Sequence, residues 1–215
     1  MTKKLSGKLA LVTGGSRGIG AASARALADE GADVAISYVA SPDKTEAVAT
    51  DLKARGVNAR AYQADQASPE EVEQLVKKVA DDFGHLDILV NNAGVAVGGG
   101  IDNRAIDTDA LARQDAINVH GVIAAIRAAS KLMGEGGRIV TVGSMLADRA
   151  SFPGPAPRGI TVNVVQPGSI NTDMNPQDGG DFAKAQRSLH ALQRFGRPEE
   201  VAAGVAFLAS PDASS

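Results

Sequence analysis

The residues best suited to chemistry stand at the ends of short apolar runs. Ala10-Leu11-Val12-Thr13 leads into Gly14-Gly15-Ser16-Arg17-Gly18-Ile19-Gly20, and a helical pattern runs from Ile19 to Asp29. A strand, a glycine-rich turn and a helix in that order are what a dinucleotide pyrophosphate needs. Gly14 permits the tight turn, Gly18 lets the backbone approach a phosphate, and Gly20 lets the helix lie on the strand. The helix start adds unpaired N–H groups and the positive end of a dipole. The spacing is G-x-x-x-G-x-G rather than the commoner G-x-G-x-x-G, and an ordinary strand-to-helix turn is the plain alternative.

Polar residues recur where the later apolar runs end. Ser37 and Tyr38 close the second run, and no acid follows before Asp43. Asp65-Gln66 follows the third, Asn91-Asn92-Ala93-Gly94 the fourth and Gly143-Ser144 the fifth. The sixth leads into Gln166-Pro167-Gly168-Ser169-Ile170-Asn171-Thr172. A carboxylate where Tyr38 stands would hold a ribose 2′-hydroxyl and repel a 2′-phosphate. Its absence, with Arg17 in the loop opposite, predicts NADP(H) in preference to NAD(H). The alternative for Arg17 is a side chain that points into solvent.

These ends need a scaffold. Strands are expected at Asp33–Ser37, Ala59–Ala64, Leu86–Val90, Arg138–Val142 and Ile160–Val165. Helices are expected at Pro42–Arg55, Pro69–Phe83 and Ala110–Met133. Gly31, Gly56 and Gly84 each follow a helix, where a left-handed residue ends it cheaply. Ser68 before Pro69 and Glu70 reads as an N-cap with proline at the first helical position. Strand and helix alternate, and the strands are continuous apolar runs. Residues 1–215 therefore predict one α/β domain: a doubly wound, Rossmann-like parallel sheet with helices on both faces.

Composition narrows the partners. The chain has 215 residues, 44% hydrophobic, with 22 basic and 25 acidic residues and a net charge of −3. No charge block points to nucleic acid or an anionic membrane. There is no cysteine, so neither disulfides nor thiol chemistry arise. His85, His120 and His190 are scattered without metal-ligand spacing, and no metal site is expected. No apolar run reaches membrane-spanning length, and a cytoplasmic protein is expected.

Taken together, Thr13-Gly14-x-x-x-Gly18-Ile19-Gly20, Asn91-Asn92-Ala93-Gly94, Asn118, Ser144 and Pro167-Gly168-x-Ile170-x-Thr172 resemble the short-chain dehydrogenases/reductases. The likeness is greatest to the bacterial 3-oxoacyl-carrier-protein reductase type and runs from about Leu5 to Pro211. It implies that Gly14, Ser16, Arg17, Gly18, Ile19 and Gly20 hold the pyrophosphate and adenosine ribose, with Tyr38 bordering that ribose. Asp65 and Gln66 would face the adenine. Asn92, Ala93 and Gly94 would line the middle of the cofactor, and Pro167, Gly168, Ile170 and Thr172 the nicotinamide end. Ser144 would hydrogen-bond the substrate oxygen and is not expected to be a nucleophile. Asn118 would hold a relay water by distorting its helix. The resemblance further implies hydride transfer to or from a ketone or secondary alcohol, and a homo-oligomer, tetramer or dimer. The segment Asn171–Gly196 would form a lid hinged at Gly179-Gly180, with Met174, Phe182 and Leu189 as apolar contacts. Its basic residues Lys184, Arg187, Arg194 and Arg197 either face an acidic carrier protein or form a solvated surface.

The family's proton donor is a tyrosine with a lysine four residues later, on the helix between the fifth and sixth strands. A phenol near pKa 10 is a poor proton shuttle at neutral pH, so the cation matters. Here the corresponding stretch reads Phe152-Pro153-Gly154-Pro155-Ala156-Pro157-Arg158-Gly159, with neither residue and with three prolines that exclude a helix. The chain's two tyrosines, Tyr38 and Tyr62, lie in the adenosine half. The expectation is that a segment of the working protein is absent from this sequence, with a break at Gly154–Pro155 or one residue later. The alternative is an engineered deletion or an inactive nucleotide-binding relative. Either way the fifth and sixth strands are expected to be parallel neighbours.

Overall fold

Alternation of buried apolar strands with amphipathic helices produces one parallel sheet. The structure is a computed structural model and describes residues 3–97, 107–143, 161–190 and 192–213. Its strands are β1 Leu9–Val12, β2 Asp33–Tyr38, β3 Ala59–Gln63, β4 Ile88–Asn91, β5 Arg138–Val142 and β6 Thr161–Val165. Its helices are α1 Gly18–Asp29, α2 Pro42–Ala54, α3 Pro69–Phe83, α4 Thr108–Asp115, α5 Val122–Leu132, α6 Gly180–Ser188 and α7 Pro198–Ala209. All neighbouring strands run parallel in the order β3-β2-β1-β4-β5-β6. The order reverses between β1 and β4, and the crevice beyond their carboxyl ends is where such a sheet takes a ligand.

The strand period of two divides the core. Ala10, Val12, Val34 and Ile36 face α1 and α7 through Ala24, Leu27 and Val205. Leu9, Leu11, Leu89 and Ile139 face α3 and α5 through Val72, Val76, Ala125 and Ala129. Both faces are therefore covered over β1, β2, β4 and the start of β5, as continuous apolar strands require, whereas Val164 on β6 is exposed. Gly31, Gly56 and Gly84 have φ of +95, +87 and +88°, so each helix-ending glycine is left-handed. Ser68 caps α3, its hydroxyl accepting from Glu71 N at 3.2 Å.

Some boundaries differ from expectation. β4 starts at Ile88 rather than Leu86, because Asp87 turns its carboxylate to the Leu9 N–H at 2.9 Å and to Lys8 at 2.9 Å at the foot of the sheet. The long helix predicted from Ala110 to Met133 is not uniform: Ala116–Gly121 is a π-helical turn between α4 and α5. The expected pairing of β5 with β6 is present, with Val142 opposite Val165. The expected break between Phe152 and Arg158, and Ser144 with it, lie outside the described residues.

Candidate functional site

The carboxyl end of β1 is organised by a threonine. The Thr13 hydroxyl accepts from Asn92 N and Ala93 N, both at 3.0 Å, and donates to Val90 O at 3.4 Å. Asn92 returns the tie: its amide nitrogen donates to Thr13 O at 2.9 Å and Gly14 O at 3.1 Å. Gly14 N lies 3.4 Å from the Ser37 hydroxyl, and Gly15 N donates to Ser37 O at 3.0 Å. The glycine turn is thus fastened to β4 on one side and β2 on the other.

Packing explains two of the glycines. A Cβ on Gly20 would lie 2.3 Å from Gly14 O and 2.4 Å from the Asn92 amide nitrogen, so the first turn of α1 can sit there only as glycine. A Cβ on Gly15 would lie 2.6 Å from Ile36 Cβ. The α1 N-terminus itself is open. Arg17 is the N-cap residue in an extended conformation, no side chain caps the helix, and the first turn holds no acid. The leading N–H groups are therefore left for an anion. This is the fit that a pyrophosphate requires.

The segment after β6 comes over this loop. A Cβ on Gly18 would touch only Thr172, at 3.7 and 3.9 Å. Ile170 is bridged to Gly196, with Asn171 N donating to Gly196 O and Gly196 N to Ser169 O, both at 2.9 Å. That bridge closes the base of the Asn171–Gly196 segment. Within it Met174, Phe182 and Leu189 are all exposed, and Gly180 has φ +69°. Its basic residues are engaged within the chain. Lys184 pairs with Asp181 at 3.0 Å, Arg187 donates to Gln177 O at 2.7 Å, and Arg194 meets Glu200 at 2.6 Å. Glu200 also reaches Arg197 at 3.8 Å, so each of these four basic residues has a partner within the chain.

Other predicted residues lie farther along the crevice. The Asp65 carboxylate accepts from Ala67 N at 2.9 Å and from Arg113 at 3.0 and 3.1 Å. Burial alone would raise its pKa; the Ala67 N–H and the Arg113 guanidinium outweigh burial and hold it below the usual range. Gln66 is buried and packs against Gly121 in the π-helical turn. Asn118 sits in that same turn, so its helix is distorted there. Its amide, however, is spent on Val95, accepting from Val95 N at 3.1 Å and donating to Val95 O at 2.8 Å. The side chain therefore stitches the turn after β4 to the helix. Gln114 does the same to Val97 N at 2.6 Å. Gly94 adjoins Asn118, and Tyr38 closes β2 half-buried.

Tyr62 is removed from this chemistry. Its hydroxyl donates to Asp82 at 2.9 Å, and burial, with Asp82, pushes its pKa up to about 12. A cavity of about 480 Å³ lined by Asp33, Lys53, Arg60 and Phe83 also lies away from the site, at the amino ends of β2 and β3. Among the described residues no group of acids or histidines could hold a metal ion. No described helix is long and apolar enough to cross a membrane.

Sequence reasoning missed the roles of Thr13, Ser37 and Gly15. The signal for Thr13 was a hydroxyl at a strand end directly before the glycines.

Comparison with known proteins agrees with this geometry. Residues 8–156 match the short chain dehydrogenase model, and residues 155–215 match the enoyl-(acyl carrier protein) reductase model. The cyclic-di-GMP-binding biofilm dispersal mediator protein of Escherichia coli K12 is 40% identical over 230 residues, covering 97% of this chain and 92% of the relative. A 3-oxoacyl-[acyl-carrier-protein] reductase, FabG, of Staphylococcus aureus is 38% identical, covering 96% of this chain and 92% of the relative. These alignments of 230 positions exceed the 215 residues of the whole chain, so at least 15 positions of each have no counterpart here. A short chain dehydrogenase from Burkholderia cenocepacia J2315, solved with NADP, superposes with a TM-score of 0.92 at 47% identity, covering 99% of this chain and 94% of that one. The glycine turn fastened by Thr13 and Asn92, the parallel sheet around it and these matches agree: the chain belongs to the short-chain dehydrogenase/reductase family.

Proposed function

We propose that this protein binds NADP(H) in preference to NAD(H) and belongs among the carbonyl reductases of its family, the 3-oxoacyl type included. The observation that carries the reading is the open N-terminus of α1, beside Thr13 and Asn92, with Arg17 at its mouth and Tyr38 where an acid would stand. The Burkholderia relative was solved with NADP, and a blue fluorescent protein from a metagenomic library, 41% identical, with NADPH.

In this reading the α1 N–H groups and Ser16 take the pyrophosphate, and Gly14, Gly18, Ile19 and Gly20 shape the cradle. Arg17 takes the 2′-phosphate. Asp65 and Gln66 border the adenine, and Asn92, Ala93 and Gly94 the middle of the cofactor. Pro167, Gly168, Ile170 and Thr172 border the nicotinamide, which when bound supplies or accepts a hydride. Ser144 orients the substrate oxygen, and Asn118 keeps the turn after β4 in place. A homo-oligomer, dimer or tetramer, is part of the proposal and is read by sedimentation.

One observation favours a second reading, nucleotide binding without turnover. The stretch from Gly143 to Gly159 contains no tyrosine and no lysine, and Tyr62 is committed to Asp82. The Escherichia coli relative carries the name of a cyclic-di-GMP-binding protein. Titration with NADPH, followed by NADPH oxidation with a panel of ketones and 3-oxoacyl thioesters, separates the two. Tight binding with turnover supports the reductase; tight binding without turnover supports the second reading; no binding overturns both.

A further inference from the structure

The mouth of the glycine turn already holds a negative charge supplied by the chain. Asp173 follows Thr172 in a tight turn, with Asn175 N donating to Thr172 O at 3.0 Å and lying 3.3 Å from the Thr172 hydroxyl. That turn stands over Gly18 and carries Asp173 toward Arg17, Nε to Oδ2 3.8 Å. The pair links the N-cap residue of α1 to the first residues of the segment that the Ile170–Gly196 bridge closes. Both side chains are more than half exposed, at 58 and 69%, so the pair is weak and exchangeable. The 2′-phosphate that the reading above assigns to Arg17 offers it a stronger, charge-assisted partner.

We propose that Asp173 is a specificity-determining residue: it holds Arg17 before the cofactor arrives and competes with the cofactor's 2′-phosphate for that guanidinium. This rests on the NADP(H) reading above. The competition lowers affinity for the cofactor that bears a 2′-phosphate and leaves NADH nearly untouched. It also makes departure of the phosphate coincide with restored contact between the glycine turn and the Asn171–Gly196 segment.

The test is a double-mutant cycle read by fluorescence titration with NADPH and with NADH. Asp173→Asn keeps the side-chain shape at an exposed position, so folding is retained. It is expected to tighten NADPH by about two- to five-fold, the range of an exposed ion pair, and to leave NADH unchanged. In the Arg17→Ala background the same substitution is expected to be silent. Unchanged or weaker NADPH binding, equal tightening of both cofactors, or an undiminished gain without Arg17 overturns the inference. Wild-type protein that binds neither cofactor overturns the function and this inference together. Wild-type protein that prefers NADPH while Asp173→Asn does nothing overturns the inference alone.

Discussion

The starts of α1 and α3 present the same backbone ending with opposite treatment. At α3 the chain closes its own helix: Ser68 caps Glu71 N, Pro69 removes one orphan N–H, and Glu70 and Glu71 face the dipole. At α1 there is no capping side chain, no proline and no acid, only Gly18-Ile19-Gly20 after an extended Arg17. Among the described helices that begin from a loop, α1 alone lacks all three devices. The same orphan donors are satisfied from within at one end and left uncapped at the other. A cap at α1 would cost binding, and loss of the cap at α3 would cost only stability.

The largest expected effect comes from Gly20→Ala. Its Cβ would overlap the Gly14 carbonyl at 2.3 Å, and that is backbone that cannot step aside. The expected loss is about 3 kcal/mol of stability, together with cofactor binding. Gly134→Ala, with nothing within 4 Å and no left-handed φ, is the control and should be neutral. Thermal melts of the two variants decide whether the crowding is real; equal melting temperatures would refute it.

Asn92→Ala comes next. It strips two carbonyls, Thr13 O and Gly14 O, of their shared donor. The expected cost is about 2 kcal/mol, with weaker binding of both cofactors alike, since the turn itself loosens. Denaturant unfolding reads the first effect and titration the second. A loss confined to NADPH would be against it.

Arg17→Ala should act on one cofactor only. Removing one charge-assisted contact to a 2′-phosphate is expected to cost NADPH about 1–2 kcal/mol and to leave NADH nearly unchanged. Equal losses would show that Arg17 serves the pyrophosphate or nothing.

Much of this contrast could be read in the sequence because its signals are local. Gly31, Gly56 and Gly84 marked helix ends with residues that must be left-handed, and Ser68-Pro69 marked a helix start. The apolar runs located the strands to within two residues. What escaped was non-local. Thr13 bonds residues 79 and 80 positions away, and its place before the glycines does not say which residues it ties. The π-helical turn at Ala116–Gly121 packs Gly121 against Gln66, and a Cβ there would come within 2.1 Å of Gln66 O, a fit visible only after folding. Asn118 was singled out from the family motif, but its grip on Val95 was not. Nor does helix periodicity place Arg17 opposite Asp173, 156 residues apart in a chain read strand by strand.

The smallest expected effect tests the closed end of the comparison. Ser68→Ala removes the hydroxyl that accepts from Glu71 N. Loss of such a cap costs about 1 kcal/mol. Here the cost falls at the lower side of that figure, because Pro69 has no N–H to orphan and Glu70 and Glu71 still oppose the dipole. The cap sits three residues from Asp65, whose N–H is held by Glu71 at 2.8 Å. The Asp65 carboxylate, however, is fixed independently by Ala67 N and Arg113. The expected outcome is a lower unfolding midpoint with NADPH and NADH affinities unchanged. If Ser68→Ala instead weakened cofactor binding as much as Arg17→Ala does, the two helix starts would not be the structural and ligand-facing pair that their caps indicate.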